Sequence, residues 1–241
     1  MELWTTHVVP VARLELAVEP RAWPFAQERR AEIDAHFAAE KRAKPALWNG
    51  RVLLMHSHQV DGDVFRGAYS ETDFASFLAW RDWGFPDPAI WNSAGMAAVR
   101  SADGAFLMGV MGAHTANAGR TYFPCGTPDP DDVKGSVLDL DASLRRELRE
   151  ETGLDAGEFA AEAGWYTVFA GPRIVQIKVL QAPVDAEVLQ ARADRFLADE
   201  AEPELAAVRM VRSRADFDDS MPDFITAFLR HVWDSRDRRA D

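Results

Sequence analysis

The chain has one cysteine, Cys125, no long uninterrupted apolar run, and no excess of basic residues. A single thiol allows no intramolecular disulfide, so cysteine usage gives no sign of an oxidising compartment. A membrane-crossing helix needs about 18 consecutive apolar residues, and the sequence contains none. Met1-Glu2-Leu3-Trp4-Thr5-Thr6 also lacks the basic segment followed by an apolar stretch that marks an export signal. The expectation is a cytoplasmic protein. The formal net charge is −12, whereas nucleic acids and anionic membranes are bound through basic surfaces that displace counterions. Neither is an expected partner. An anionic substrate would have to be received by local cations or by a bound metal.

What is present is ordinary for a folded protein: 47% hydrophobic and 27% charged residues in 241. That length fits one large domain, or one medium domain with an extension. The stretch through Ala17 alternates around Val8, Val9, Val11, Leu14 and Leu16 and predicts one or two strands. Phe25, Arg29, Ile33, Phe37 and Lys41 recur at helical spacing and predict a helix from Pro24 to Lys44. Val52 to Met55, the turn Asp61-Gly62 and Val64 to Tyr69 predict a hairpin. A helix is expected from Thr72 to Trp83, and a second hairpin from Gly95 to Met111 around Asp103-Gly104. The charged tail Ser235 to Asp241 is expected to fray.

The segment from Asp141 to Thr152 reads as a helix, with Asp139 or Asp141 as cap and Gly153 as its stop. At about 100° per residue, Leu144 and Leu148 form one apolar stripe. Glu147, Glu150 and Glu151 fall on an adjoining arc of about 100°, so three carboxylates converge beside the buried face. Such a cluster repels itself without a cation, and hard divalent ions prefer oxygen ligands. Composition alone would equally allow a solvated charged helix with pairs such as Asp141 with Arg145 and Arg146 with Glu150.

The ordered string Arg146-Glu147-Leu148-Arg149-Glu150-Glu151-Thr152-Gly153-Leu154 resembles the second half of the Nudix box residue for residue. Phe123-Pro124-Cys125-Gly126-Thr127 resembles the strand end and glycine turn ahead of the Nudix helix. Trp165 to Ala170 and Ile174 to Leu180 fit the strands after it, and Pro222 to Trp233 a closing helix. The resemblance implies a three-layer α/β/α Nudix sandwich with a mixed sheet over residues 91–241, preceded by a small α/β extension, residues 1–90. It implies a Mg²⁺-dependent hydrolase, with Mn²⁺ as substitute, that cleaves a phosphoanhydride in a small nucleoside diphosphate derivative. Glu150 and Glu151 would be the principal metal ligands, Glu147 a further ligand or water-orienting group, the backbone near Gly126 another donor, and Arg146 the brace of the carboxylates.

One departure stands out. The usual box runs from its glycine through five residues to a glutamate and seven more to the arginine, whereas Gly126 lies twenty positions before Arg146. Pro128-Asp129-Pro130-Asp131-Asp132 lengthens the loop, and Leu138 occupies the place of that glutamate.

Family enzymes often draw a further carboxylate from a distant loop. Glu200, Glu202 and Glu204 are the candidates, Glu204 foremost because it directly precedes the apolar stretch Leu205 to Val211. An acidic surface loop would explain the group equally well. Cys125 reads as a small buried thiol rather than a nucleophile. His56 and His58 read as strand residues rather than zinc ligands, and Trp80, Trp83 and Trp91 as core. Trp48-Asn49-Gly50-Arg51 followed by Tyr69-Ser70-Glu71-Thr72-Asp73-Phe74 resembles the layout ahead of the fold in UDP-sugar-hydrolysing Nudix relatives, which implies a nucleotide sugar. ADP-ribose, dinucleotides and coenzyme A derivatives stay open as substrates, and so does a homodimer. Two rivals remain: a catalytically silent Nudix-fold module that binds a nucleotide or regulates a partner, and a plain charged-helix interaction protein.

Overall fold

Two mixed sheets organise the chain, and a computed structural model describes it over residues 5–240, with side chains through residue 235. The export-signal reading of residues 1–4 and the side chains of the charged tail lie outside those residues. β1 (His7–Val11) and β2 (Arg13–Val18) are separated by Ala12 alone, yet they enter different sheets. The expected single helix is two, α1 (Pro24–Glu28) and α2 (Arg30–Ala43), because Arg29 leaves helical geometry at φ −106°, ψ 20°. Ile33 is still the fully buried residue of its face.

β3 (Arg51–Asp61) and β4 (Val64–Asp73) form the expected hairpin. Gly62 sits at its turn with φ +59°, a conformation glycine adopts without a side-chain clash. α3 (Phe74–Asp82) starts two residues later than expected, since Thr72 still pairs with Val52 and Asp73 caps the helix through the Ser76 amide. Trp80 is fully buried under it.

β5 (Asn92–Arg100), β6 (Phe106–Met111) and the short β7 (Thr121–Tyr122) follow, and then comes the lengthened loop. That loop is not irregular. It contains a helical turn at Pro130–Asp132 and two short strands, β8 (Val133–Lys134) and β9 (Val137–Leu138). α4 (Leu140–Thr152) follows directly. The remainder comprises β10 (Ala160–Ala161), β11 (Trp165–Ala170), β12 (Arg173–Gln181), α5 (Ala186–Asp199), β13 (Leu205–Val211) and α6 (Asp223–Ala240). α5 has no counterpart in the sequence reading, although Leu189 and Ala193 repeat at helical spacing and are buried together with Ala186.

The large sheet runs β1-β11-β12-β5-β6-β13, with β10 added beside β12 and β7 beside β6. It is mixed, since β5 and β12 run parallel while the remaining pairs are antiparallel. α4, α5 and α6 flank this sheet, which gives the three-layer α/β/α sandwich. Its core includes Leu144 and Leu148 from α4, Phe228 from α6, Phe106 and Val179 from the sheet, and Phe123 just after β7. Each fully buried leucine or phenylalanine contributes roughly 1.5–3 kcal/mol relative to exposure.

The second sheet runs β3-β4-β2-β9-β8. Strands therefore cross residue 90 in both directions, β1 into the large sheet and β8 with β9 into the small one. Leu138 joins Leu16, Phe65 and Tyr69 in the core between them.

Candidate active site

α4 carries the carboxylates. Asp139 caps it by accepting from the Ala142 amide at 3.0 Å. Gly153 ends it in the left-handed region at φ +69°, its amide donating to the Arg149 carbonyl. A β-carbon at Gly153 would press on the Phe196 ring of α5, so glycine serves both turn and packing. Leu144 and Leu148 are fully buried, which sets the depth of the neighbouring glutamates. Glu151 is 4% exposed, the Glu147 side chain 14% and the Glu150 side chain 54%.

The segment after β7 approaches this face. The Cys125 amide donates to Glu151 Oε1 at 3.1 Å, while Glu151 Oε2 is buried with no partner. Gly126 backs onto Glu147: a β-carbon there would stand 2.4 Å from Oε1. Only glycine allows so close an approach of backbone to carboxylate.

Glu204 arrives from the start of β13, where its carbonyl accepts from the Gly112 amide at 2.8 Å. Its carboxyl is raised by desolvation, opposed by His114 and reinforced by Glu150. The residue as a whole is exposed, so its perturbation is the weakest of the three. Glu147 is pushed up to about 7, foremost by desolvation, against the pull of Arg146, with Glu150, Glu204 and Asp132 adding. Burial pushes Glu151 well above the usual carboxylate range, and Glu204 and Glu147 push it further. Glu147, Glu151 and Glu204 thus feel one another's charge. Glu200 and Glu202 are exposed residues of the same loop.

Arg146 lies across the group. Its Nη1 is 2.9 Å from Glu147 Oε1 and 3.4 Å from Glu150 Oε2, and its Nη2 donates to Asp132 Oδ1 at 2.9 Å. Desolvation opposes its charge, but Asp132, Glu147 and Glu150 together raise its pKa. The sequence reading missed Asp132, which is 5% exposed. The available signal was an acidic run inside the insert. It also missed His114 and Tyr122, whose charges and hydroxyl meet the cluster only through long-range pairing.

Other side chains resolve more simply. The half-buried Cys125 thiol is pushed well up by desolvation and by Glu151, Glu147 and Glu204, the opposite of an activated thiolate. The His58 ring packs among Phe65, Trp91 and Phe169, and His56 meets Arg21. Among the described residues no group of three or more His, Cys, Asp or Glu side chains is arranged to hold a metal ion. In kind, however, the donors fit a hard divalent cation. An unpaired buried oxygen of Glu151, a Glu147 carboxyl raised to about 7 and a glycine cradle gather more acidic oxygen than Arg146 alone neutralises. Glu151 could offer such an ion Oε2 while Oε1 stays on the Cys125 amide, whereas Glu147 would share its oxygens with Arg146.

A cleft of about 400 Å³ adjoins Glu204, lined by Ala46, Gly112, His114, Glu202 and Leu205. A larger one of about 830 Å³ lies between the small sheet and the first turn of α4, lined by Leu16, Arg66, Lys134, Leu138 and Trp165. None of the clustered glutamates lines the larger cleft, so size does not mark the chemistry here.

No protein-family model and no curated protein matches the chain. Among solved structures it is similar to a Nudix hydrolase from M. smegmatis, RenU, with TM-score 0.37 and 17% identity over 59% of this chain and 84% of that one. It is similar to the MutT protein from Methanosarcina mazei Go1, with TM-score 0.38 and 20% identity over 59% and 95%. A bifunctional NMN adenylyltransferase/ADP ribose pyrophosphatase from Francisella tularensis, complexed with AMP and a Mn ion, gives TM-score 0.42 and 15% identity over 66% and 45%.

Proposed function

We propose that the protein is a Mg²⁺-dependent hydrolase that cleaves the phosphoanhydride of a nucleoside diphosphate derivative, a nucleotide sugar being the first candidate. The observation that carries this reading is the buried, cation-seeking arrangement of Glu151 and Glu147 against the Cys125 amide and Gly126. Residues 91–241 would form the catalytic unit and residues 1–90 its extension.

Glu147, Glu150 and Glu151, with the backbone at Gly126, would hold Mg²⁺ or Mn²⁺. When bound, the ion supplies charge neutralisation of the diphosphate and lowers the pKa of coordinated water. The Cys125 N–H fixes one oxygen of Glu151. Gly126 leaves room for Glu147, and Arg146 holds Glu147 and Glu150 on one side of the helix. A water attacks phosphorus, the P–O bond to the leaving phosphate breaks, and the water's proton passes to Glu204. A carboxyl raised by desolvation above its ordinary value holds a proton more readily, which suits that task. A homodimer is compatible with this scheme and not required by it.

The test is a panel of nucleotide sugars, ADP-ribose, dinucleotides and coenzyme A derivatives, assayed with Mg²⁺, Mn²⁺ and EDTA. Metal-dependent release of a mononucleotide from at least one is expected. No release from any, together with no measurable Mn²⁺ binding, would leave the silent or interaction-module readings instead.

A further inference from the structure

The lengthened loop removes a glutamate from its usual box position and supplies a carboxylate elsewhere. Leu138 at that position is 3% exposed, packed with Leu16, Phe65 and Tyr69 between the two sheets. A carboxylate there would be buried without a partner, at a cost of several kcal/mol. Six residues earlier, Asp132 is equally buried and fully engaged. Its Oδ2 accepts from Ser143 Oγ at 2.9 Å and from the Asp129 amide at 3.2 Å, and its Oδ1 accepts from Arg146 Nη2 at 2.9 Å. Its carbonyl accepts from the Asp139 amide, so its backbone is tied to the cap of α4.

The loop that presents Asp132 is fixed at both ends. The Pro128 carbonyl accepts from the Leu53 amide at 2.7 Å, and β8 with β9 extends the small sheet beside β2. Asp132 is therefore a preset anchor, not a surface group that happens to meet an arginine. With Nη2 held there, Arg146 meets Glu147 and Glu150 through Nη1 alone. Released from Asp132, the guanidinium would be free to pair in full with those two carboxylates and compete with a cation for them.

We propose that Asp132 is a positioning residue. It restrains Arg146 so that Glu147 and Glu150 remain available to a divalent cation, in place of the acidic residue displaced by Leu138. The inference rests on the proposed metal-dependent function, and it acts through Arg146 rather than on substrate.

The test measures Mn²⁺ affinity of the full chain by electron paramagnetic resonance, alongside turnover on the best substrate of the panel. Asp132→Asn should weaken Mn²⁺ binding about tenfold and lower kcat with KM little changed, and Asp132→Glu should return most of the affinity. In a double-mutant cycle, Asp132→Asn should have no further effect on Mn²⁺ affinity once Arg146→Gln is present, because the effect passes through that side chain. A merely structural role would cost the same in both backgrounds. If Asp132→Asn does not fold, Ser143→Ala, which removes one donor and no charge, takes its place in the cycle, with about a threefold loss expected. Parental Mn²⁺ affinity in the single variant, or equal losses in both backgrounds, overturns the inference. A parent that binds Mn²⁺ but hydrolyses nothing defeats the proposed function while leaving the positioning result to stand by itself.

Discussion

Glu151→Gln should make the protein more stable without metal and nearly inactive with it. In the parent, Oε1 accepts the Cys125 N–H while Oε2 is buried and unpaired. At pH 8 an unfolded glutamate is ionised, so folding must either bury a charge beside Glu147 and Glu204 or take up a proton, and both cost free energy. Glutamine keeps the acceptor for Cys125, removes that cost and barely changes volume. The metal-free variant should therefore melt higher than the metal-free parent. Adding Mg²⁺ reverses the order. At a hundred times the dissociation constant, a ligand that binds only the folded state adds about 2.7 kcal/mol. For a chain of 241 residues, about 2–4 °C per kcal/mol makes this roughly 5–10 °C for the parent. The variant should gain much less and turn over at least about a hundredfold more slowly, having lost a charged ligand. Thermal unfolding at pH 8 in EDTA and in a Mg²⁺ series reads both effects. Equal Mg²⁺-induced shifts in parent and variant, or a variant less stable than the parent in EDTA, would refute the reasoning.

The carboxyl of Glu147 should make metal-free stability fall as pH rises. Its folded value of about 7 lies above its ordinary 4.5, so between those values the folded state binds more protons than the unfolded, and stability is lost through that window. The upper bound is about 3 kcal/mol. Urea unfolding in EDTA from pH 5 to 8 should show this slope and Glu147→Gln should flatten it; an unchanged slope in the variant assigns the pH dependence elsewhere. Glu204→Gln should lower turnover by about 10² to 10⁴ with KM little altered, while Glu200→Gln and Glu202→Gln stay near parental. Parental turnover in all three from pH 6 to 9 would move the base to another group, Glu147 first. Gly126→Ala should fold, because the atoms it meets end a side chain, but it should displace the Glu147 carboxylate and lower turnover by up to about a hundredfold. A fully active Gly126→Ala protein would show that Glu147 does not need its place against the loop.

Helix α4 was legible in the sequence because its signals are local. Asp139, the Leu144–Leu148 stripe and Gly153 set its start, buried face and stop, and the structure keeps each. The hairpin around Asp61-Gly62 was equally legible, since turn and alternation lie next to each other. What could not be read depends on partners far along the chain. Glu151 is deeper than Glu150, and the Cys125 backbone that meets it comes from far along the chain, which helical angles alone do not reveal. Arg29 breaks the first helix although its spacing continues the pattern. Asp132 looked like one more acid in a polar insert, and only the folded loop brings it to Arg146. Glu204 was singled out because an apolar strand follows it, and β13 does begin at the next residue, Leu205.

The exchange of strands across residue 90 bears on how substrate could be recognised. β1 covers β11, which would otherwise present an unpaired edge, and β2 lies between β4 and β9 at the centre of the small sheet. A single residue, Ala12, joins β1 to β2, and its amide is held by the Asp63 carbonyl at 2.6 Å. A one-residue link between two paired strands leaves no slack for a hinge, and the return crossing by β8 and β9 closes the connection from the other side. Lys44 extends the same tie to the active-site side, its Nζ donating to the Thr115 carbonyl at 2.7 Å in the loop that carries His114. Groups such as Ala46, which lines the cleft beside Glu204, are therefore presented by a rigid frame. Such a frame would offer a ligand a preformed shape, with no binding energy spent on closing over it.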